Sequence, residues 1–299
     1  MAVPAAAEPE ESTIPYPEDP PMLAVREAVS RALAEDVLPL GDVTAALLDP
    51  GRQARMAVVA RSPGVVAGRL CALESFRQVD GDVVVDWRLP DGSAVAAGTV
   101  VASVSGPMAS ILTAERTALN FLCHLSGVAT ATRRLVDAVT EANPSTRVLD
   151  TRKTLPGLRA LEKAAVRAGG GTNHRGSLSE GVLLKDNHLG GLAIAEAVAE
   201  AARRWPGRMI EVECDEPGQA EEAAAAGAAM VLLDNMTPEQ VASTVALVRA
   251  AAGGVLVEVS GGITLGTAPA YAAAGADLLS VGALTHSAAS LDLGLDLAP

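Results

Sequence analysis

The chain has 299 residues, of which 49% are apolar, so it can bury a large core in one large domain or two smaller ones. Its formal charge of −13 argues against a nucleic-acid surface or an anionic membrane as a partner. Three distant cysteines without CxxC spacing argue against a zinc site and a disulfide framework. No apolar run reaches transmembrane length and the N-terminus is acidic, unlike a signal peptide, so we expect a cytoplasmic protein.

The N-terminal part of the chain changes texture near residue 22. Residues 1–21 consist mainly of Ala, Pro and Glu, with too few large apolar side chains to offset the entropy of ordering, which predicts a disordered tail. The following residues combine helical patterns with short valine-rich runs and the turn PDGS. This combination predicts a small unit built from helices and strands.

Residues 108–142 form a long helical pattern that links the two halves of the chain, with Ser126 and Gly127 as its predicted break. Arg116 lies on this pattern beside Glu115. Judged from the residues alone, an adjacent acid and base near a helix start are surface charges. The pattern itself therefore does not select Arg116 for a site.

Beyond Pro144, apolar strands that end in polar residues alternate with alanine-rich helical patterns. The predicted strands are RVLDT, VLLKD, MIEVECD, MVLLDN, VLVEVSG and LLSVGA. Each unit takes about two dozen residues, the size of a βα repeat, so the strands form a parallel sheet. The rhythm continues without a GxGxxG motif, which favours a TIM-like (β/α) barrel over a doubly wound sheet.

The early and middle predicted strands end in charged side chains, which are costly to bury unless they are paired or used. The cations are Arg152, Lys153 and Lys185. The carboxylates are Glu213 and Asp234. Because the C-terminal strand ends of a (β/α) barrel build its active site, these five residues are candidates for one site.

The last predicted strands end in small residues instead. Backbone N–H groups at such positions can bind a phosphate, and phosphate sites on the last strands are frequent in barrels. The residues concerned are Ser260, Gly261, Gly262 and Gly282.

Residues 150–188 are locally basic within an acidic chain, which indicates a pocket for a polyanion. His174 and Arg175 follow three consecutive glycines and join the strand-end cations as candidates. Four further charges recur at helical spacing and are expected to be solvated. They are Arg159, Glu162, Lys163 and Arg167.

The candidate site combines cations, two carboxylates and a backbone site for phosphate. This combination suits a phosphorylated sugar that carries pyrophosphate, together with an anionic co-substrate. Phosphoribosyl transfer uses all of these parts. Glu213 and Asp234 are then expected to hold Mg²⁺ or the ribose hydroxyls and to stabilise an oxocarbenium-like transition state.

Several motifs resemble those of the quinolinate phosphoribosyltransferase family over residues 22–297. They are DTRKTLPGLRALEKAAVRAGGGTNHR, LLKDNH, IEVECD, LLDNM and EVSGGI. The resemblance implies an N-terminal α/β sandwich (22–115), an open α/β barrel (116–285) and a C-terminal segment (286–299) that returns to the sandwich. The implied reaction joins quinolinate and phosphoribosyl pyrophosphate with Mg²⁺ as cofactor, and yields nicotinate mononucleotide, pyrophosphate and CO2 for NAD synthesis.

The resemblance also implies a role for each candidate. It implies that quinolinate is contacted by Arg152, His174, Arg175 and Lys185. It implies that the catalytic residues are Lys153, Lys185, Glu213 and Asp234. It implies that the 5'-phosphate is contacted by Ser260, Gly261, Gly262 and Gly282. Arg116 is implied to reach into the partner's site of a homodimer.

Three alternatives stay open at this point. The first is a pyrophosphorylase-like relative that acts on another acceptor base, and the second is a Schiff-base aldolase that uses Lys185. The third is a module that binds a polyanion without turnover.

Ala164 and Gly176 depart from the family pattern, which affects pocket shape only. His124 is expected to be structural, whereas His188 is open between orienting a loop and touching substrate.

Overall fold

The structure is a computed structural model that describes residues 19–297, so the tail predicted for residues 1–21 lies almost wholly outside the described residues. The helices are α1 Met22–Val37, α2 Arg69–Val79, α3 Met108–Ala142, α4 Arg159–Ala168, α5 Asp186–Leu189, α6 Ile194–Arg204, α7 Pro217–Ala225, α8 Pro238–Ala251, α9 Ala268–Ala273 and α10 Ala283–His286. The strands are β1 Gln53–Ala60, β2 Gly64–Val65, β3 Val84–Trp87, β4 Ala94–Val95, β5 Val100–Pro107, β6 Arg147–Leu149, β7 Val182–Leu184, β8 Ile210–Cys214, β9 Met230–Asp234, β10 Leu256–Ser260, β11 Leu278–Ser280 and β12 Leu293–Leu297. Within the described range, no helix combines the length and apolar character needed to cross a membrane.

The N-terminal sheet is antiparallel, with the strand order β12-β1-β5-β3. Because side chains of a strand alternate between its two faces, Met56 and Val58 of β1 both point inward. They share a core with Phe76 of α2 and Ile111 of α3. The sheet takes its edge strand β12 from the end of the chain, so the C-terminal segment lies against the N-terminal sheet.

The long helix α3 is continuous, so the break predicted at Ser126 and Gly127 does not occur. Packing explains both residues. A Cβ atom on Gly127 would lie 2.2 Å from the carbonyl oxygen of Ala289, so only glycine fits there. The hydroxyl of Ser126 bonds the backbone of Ala67. These small residues allow neighbouring segments to pack closely against α3 and do not end the helix.

The C-terminal sheet is parallel, with the order β6-β11-β10-β9-β8-β7. Leu278 pairs with Arg147 and Ser260 pairs with Asp234, so the C-terminal ends of the strands meet along one edge. Helices packed against the sheet bury mostly alanine and valine side chains. In the described chain the sheet does not close, because β6 and β7 stay unpaired with each other. The predicted fold class, an open α/β barrel with a separate N-terminal α/β unit, is confirmed.

Candidate functional site

A cleft of about 290 Å³ opens at the C-terminal edge of the parallel sheet. Its lining residues are Thr151, Arg152, Lys153, His174, Arg175, Leu183, Lys185, Glu213, Leu232, Asp234, Glu258, Ser260 and Ser280. Most of the residues predicted from the sequence therefore meet in one cleft, as the parallel register requires. Gly261, Gly262 and Gly282 lie within two residues of the lining residues Ser260 and Ser280. Arg116 is exposed on α3 and does not line the cleft.

Buried Asp150, just beyond β6, organises the loop that carries His174. Its carboxylate accepts hydrogen bonds from the backbone N–H of His174 (2.9 Å) and from the side-chain amide of Asn173 (2.5 Å). It also forms an ion pair with Lys163 of α4. Burial raises the pKa of Asp150, although the bonds from Lys163 and the loop act in the opposite direction. Asp150 therefore ties helix α4 to the glycine-rich loop.

The prediction that four charges near α4 are solvated was wrong. Lys163 and Glu162 are buried, with 6% and 0% exposure. Glu162 bonds the ring of His124 at 2.8 Å, which confirms a structural partner for that histidine. Arg159 donates to two backbone carbonyls, and Arg167 bonds Asn173. Helical spacing did not reveal these partners because they lie on other segments of the chain.

Two guanidinium groups lie close together at one side of the cleft. Nη1 of Arg175 donates to the carbonyl oxygen of Gly181 at 3.0 Å. Burial and the nearby charge of Arg152 lower the pKa of Arg175. Nε of Arg152 is buried without a hydrogen-bond partner among the described residues. Two partly buried cations, one with an unpaired donor, create a strong local site for an anion.

His174 uses both ring nitrogens within the protein. Nδ1 accepts a hydrogen bond from the backbone N–H of Arg175 at 2.7 Å. Nε2 lies 3.2 Å from Oε2 of Glu211 and 3.3 Å from Oε2 of Glu258. The donor and acceptor roles of a histidine are assigned from such a network. We assign the ring proton to Nε2, because a nitrogen that accepts a hydrogen bond carries no proton.

The charges around His174 form one titrating group. Burial acts to lower the pKa of His174, but the two glutamates outweigh it and raise that pKa to about 10. Burial likewise raises the pKa of Glu211. Up to about pH 10 the cluster of His174 and the two glutamates therefore holds one proton beyond the one on Nε2. That proton cannot lie on Nδ1 while Nδ1 accepts the backbone N–H of Arg175, so we assign it to the carboxylates of the cluster. Three carboxylate oxygens, Glu211 Oε1 and both oxygens of Glu258, lack a hydrogen bond among the described residues.

The sequence-based prediction missed Glu211 and Glu258. Glu211 lies inside β8 and Glu258 inside β10, and both are almost completely buried. One signal was present, because an acidic residue inside an apolar strand is rare unless it has a partner. The ligand atoms of Glu211, Glu258 and His174 lie within 4.8 Å of one another, a spacing that could also hold a metal ion. A proton on Nε2 leaves no lone pair there for a metal, so we assign the cluster to hydrogen bonding.

Lys185 and Glu213 form an ion pair between the ends of the neighbouring strands β7 and β8. The backbone N–H of Lys185 donates to Nδ1 of His188 at 3.2 Å. His188 is exposed, and this bond lies at the start of the short helix α5. The pair places one cation and one carboxylate at the mouth of the cleft in fixed relation.

Close packing shapes the end of β10. Gly261 has φ +98°, and a Cβ atom there would lie 2.2 Å from Oδ1 of Asn235. Gly262 has φ +60° but faces open space. Beyond β11, a Cβ atom on Gly282 would lie 3.0 Å from Cδ of Lys153. Gly261 therefore excludes a larger residue, whereas a larger residue at Gly282 would require the Lys153 side chain to shift.

Fold and cleft thus define an open α/β barrel protein with an anion-binding site at its C-terminal strand ends. Two family models match the chain: "Quinolinate phosphoribosyl transferase, N-terminal domain" over residues 42–126 and "Quinolinate phosphoribosyl transferase, C-terminal domain" over residues 128–296. The chain belongs to the quinolinate phosphoribosyl transferase family.

Named relatives support this membership. The nicotinate-nucleotide pyrophosphorylase [carboxylating] of Mycobacterium leprae is 42% identical over 92% of this chain and 97% of its own. The human protein of the same name is 40% identical over 85% of both chains. The structure of the nicotinate-nucleotide pyrophosphorylase from Francisella tularensis aligns with a TM-score of 0.88 at 38% identity, covering 94% of this chain and 98% of the other. The described fold is therefore shared along nearly the whole chain.

Proposed function

We propose that this protein transfers the phosphoribosyl group of phosphoribosyl pyrophosphate to quinolinate and releases pyrophosphate and CO2, in NAD biosynthesis. The relatives carry the name of this carboxylating pyrophosphorylase activity. The supporting observation is the cleft, in which Arg152, Arg175 and Lys185 face the carboxylates Glu213 and Asp234. This is the charge arrangement that a dianionic acceptor and a pyrophosphorylated sugar both need.

Quinolinate carries two neighbouring carboxylates on a pyridine ring. A guanidinium can bind a carboxylate through two parallel hydrogen bonds. The side chains of Arg152 and Arg175 both line the cleft. Arg152 and Arg175 together would hold the dianion and present its ring nitrogen to C1 of the ribose. Orientation by fixed cations is therefore the main task of this side of the cleft.

Decarboxylation follows from the charge on the ring. When the ring nitrogen bonds C1 of the ribose, pyrophosphate leaves with the electrons of the broken C–O bond and the nitrogen becomes cationic. The adjacent carboxylate can then leave as CO2, because the cationic ring stabilises the electron pair left on carbon, which a proton finally takes up. Lys185 would assist through its positive charge near that carboxylate.

Mg²⁺ is part of the proposal. Glu213 and Asp234 lie at the C-terminal ends of the neighbouring strands β8 and β9. Carboxylates at such positions suit Mg²⁺, which is commonly bound by one or two carboxylates together with substrate phosphates. When bound, the ion would neutralise charge that develops on the pyrophosphate. The carboxylates would also bind ribose hydroxyls, and Lys153 would face the pyrophosphate. Ser260, Gly261, Gly262 and Gly282 would bind the 5'-phosphate through hydroxyl and backbone N–H groups.

We also propose a cytoplasmic homodimer in which Arg116 enters the partner's cleft. Arg116 is exposed on α3, and no described side chain of the same subunit pairs with it. An exposed arginine on a helix that pairs with no described side chain of its own subunit is available to a neighbouring subunit. The three free cysteines agree with a reducing compartment.

The experiment is an assay of CO2 release from carboxyl-labelled quinolinate, with phosphoribosyl pyrophosphate and Mg²⁺. We expect release only when all three are present, with nicotinate mononucleotide as the second product. Turnover of nicotinate without CO2 release would point to the other acceptor-base alternative and overturn the proposal. Borohydride trapping of a carbonyl substrate on Lys185 would instead support an aldolase, and tight binding of phosphoribosyl pyrophosphate without turnover would indicate a binding module.

A further inference from the structure

A buried pair of glutamates lies beneath His174 and is not required by the charge arrangement of the cleft described above. Glu211 and Glu258 come from β8 and β10, which flank β9 on its two sides. In a barrel, inward side chains of alternate strands lie in one layer, so the two carboxylates reach the same point of the interior. Their exposures are 1% and 0%.

Two buried carboxylates need compensation, and the described contacts supply only part of it. Nε2 of His174 lies within 3.3 Å of one oxygen of each glutamate. Glu211 Oε1 and both oxygens of Glu258 have no hydrogen-bond partner among the described residues. If these two positions served stability alone, apolar residues of the same volume would destabilise the fold less than buried carboxylates do. The arrangement therefore indicates a task for the carboxylates that acts through His174.

The other side of the ring shows what that task is. Nδ1 of His174 accepts the backbone N–H of Arg175, the residue whose guanidinium enters the cleft. This bond exists only while the proton lies on Nε2, the nitrogen that faces the glutamates. With both nitrogens engaged, His174 has no ring N–H left to offer an acceptor carboxylate. Its contact with a ligand would use the ring surface.

We propose that Glu211 and Glu258 are positioning residues that orient His174 through Nε2, so that Nδ1 fixes the backbone of Arg175 and thereby its guanidinium. This inference rests on the proposed function in one respect, the assignment of Arg175 to the carboxylates of quinolinate. It differs from the role that the family resemblance implies for His174, which is direct contact with quinolinate. In this proposal His174 instead links the two buried glutamates to the backbone of Arg175.

The first test reads the ring directly and needs no substrate. In full-length protein with ¹⁵N-labelled histidine, the His174 signals, assigned with His174→Gln, should show a protonated Nε2 and an unprotonated Nδ1 from pH 6 to pH 9. An imidazolium, with both nitrogens protonated in that range, would overturn the inference. A shift of the Nε2 signal on addition of Mg²⁺ or Zn²⁺ alone would also overturn it, because it would make His174 a metal ligand.

The second test uses matched variants. Glu258→Leu and Glu211→Leu remove a carboxylate beside Nε2, whereas Glu258→Gln and Glu211→Gln keep an oxygen in the same place. We expect the Leu variants to raise KM for quinolinate by about tenfold or more and the Gln variants to recover most of it, since a hydrogen bond to a charged group is worth about 1.5–3 kcal/mol. KM for phosphoribosyl pyrophosphate should stay within about twofold, because Arg175 is assigned to the other substrate.

Glu162→Gln is the control, since Glu162 is equally buried and bonds His124 outside the cleft lining. It should leave both KM values unchanged. Equal changes in both KM values, or Gln variants as poor as Leu variants, would overturn the positioning role even if a Leu variant unfolds. If the wild-type protein shows no quinolinate turnover, the proposed function fails, and the ¹⁵N measurement still decides the state of His174.

Discussion

Lys163 and Asp150 form a buried ion pair that holds helix α4 against the loop carrying His174. The same ammonium group donates to the carbonyl oxygen of His174 at 2.8 Å, so one side chain joins three segments. The loop that carries His174 is therefore held in place by the buried ammonium group of Lys163, which does not line the cleft. Removal of one partner would leave the other charge buried and uncompensated.

We predict that Lys163→Met lowers the free energy of unfolding by about 3–5 kcal/mol, because breaking a buried pair leaves a desolvated carboxylate. Urea unfolding followed by circular dichroism measures this change. The double variant Lys163→Met/Asp150→Asn should lose less than the sum of the two single variants. A loss below about 1 kcal/mol in Lys163→Met would show that Asp150 is compensated by other groups.

Arg175→Lys should raise KM for quinolinate by about tenfold or more although the positive charge remains, because an ammonium group cannot form two parallel hydrogen bonds to a carboxylate. Steady-state kinetics with each substrate varied in turn gives the comparison. Arg203→Lys, which changes an exposed ion pair on α6, is a control that should leave both KM values unchanged. Unaltered quinolinate affinity in Arg175→Lys would contradict a bidentate role.

Two neighbouring glycines should respond differently to alanine. Gly261→Ala places a Cβ atom against Asn235 at a φ of +98°, so we expect a loss of unfolding free energy of about 1–3 kcal/mol together with a raised KM for phosphoribosyl pyrophosphate. Gly262→Ala meets open space, so its effect on unfolding should be smaller. Thermal unfolding and KM measurements on both variants test this order. A larger unfolding effect at Gly262 would contradict it.

Mixing of inactive variants tests the shared site. If Arg116 serves the neighbour's cleft and Lys185 its own, Arg116→Ala and Lys185→Ala dimers each lack one cation in every site. Random pairing in a twofold dimer gives about half heterodimers, each with one intact site, so co-refolding should restore about a quarter of wild-type activity. No recovery, with subunit exchange verified by mass spectrometry, would return Arg116 to an ordinary surface position.

The cysteines provide a pH-dependent prediction. Burial raises the pKa of the Cys71 and Cys214 thiols to about 12, above the ordinary value, so both are protonated at pH 8. Only about one thiol in 10,000 is then a thiolate, the form that reacts. Alkylation of the native protein followed by mass spectrometry should modify half-buried Cys123 first. Rapid labelling of Cys71 or Cys214 at pH 8 would show that their segments open readily.

Local pattern in the sequence determined a large part of this protein. The βα rhythm after Pro144 predicted the parallel sheet, and parallel strands align their C-terminal ends, so residues as distant as Arg152 and Asp234 could be assigned to one cleft. The family motifs added the reaction and the substrates, which residue spacing by itself left among several alternatives.

Only the tertiary structure decided which charges are buried and what compensates them. Helical spacing made Lys163 and Glu162 look solvated, yet their partners Asp150 and His124 come from other segments and fold over them. Glu211 and Glu258 were hidden inside apolar strands for the same reason, since their common neighbour His174 lies on a loop. Periodicity shows which residues of one element share a face, whereas the energy of a buried charge depends on the partner that folding brings to it.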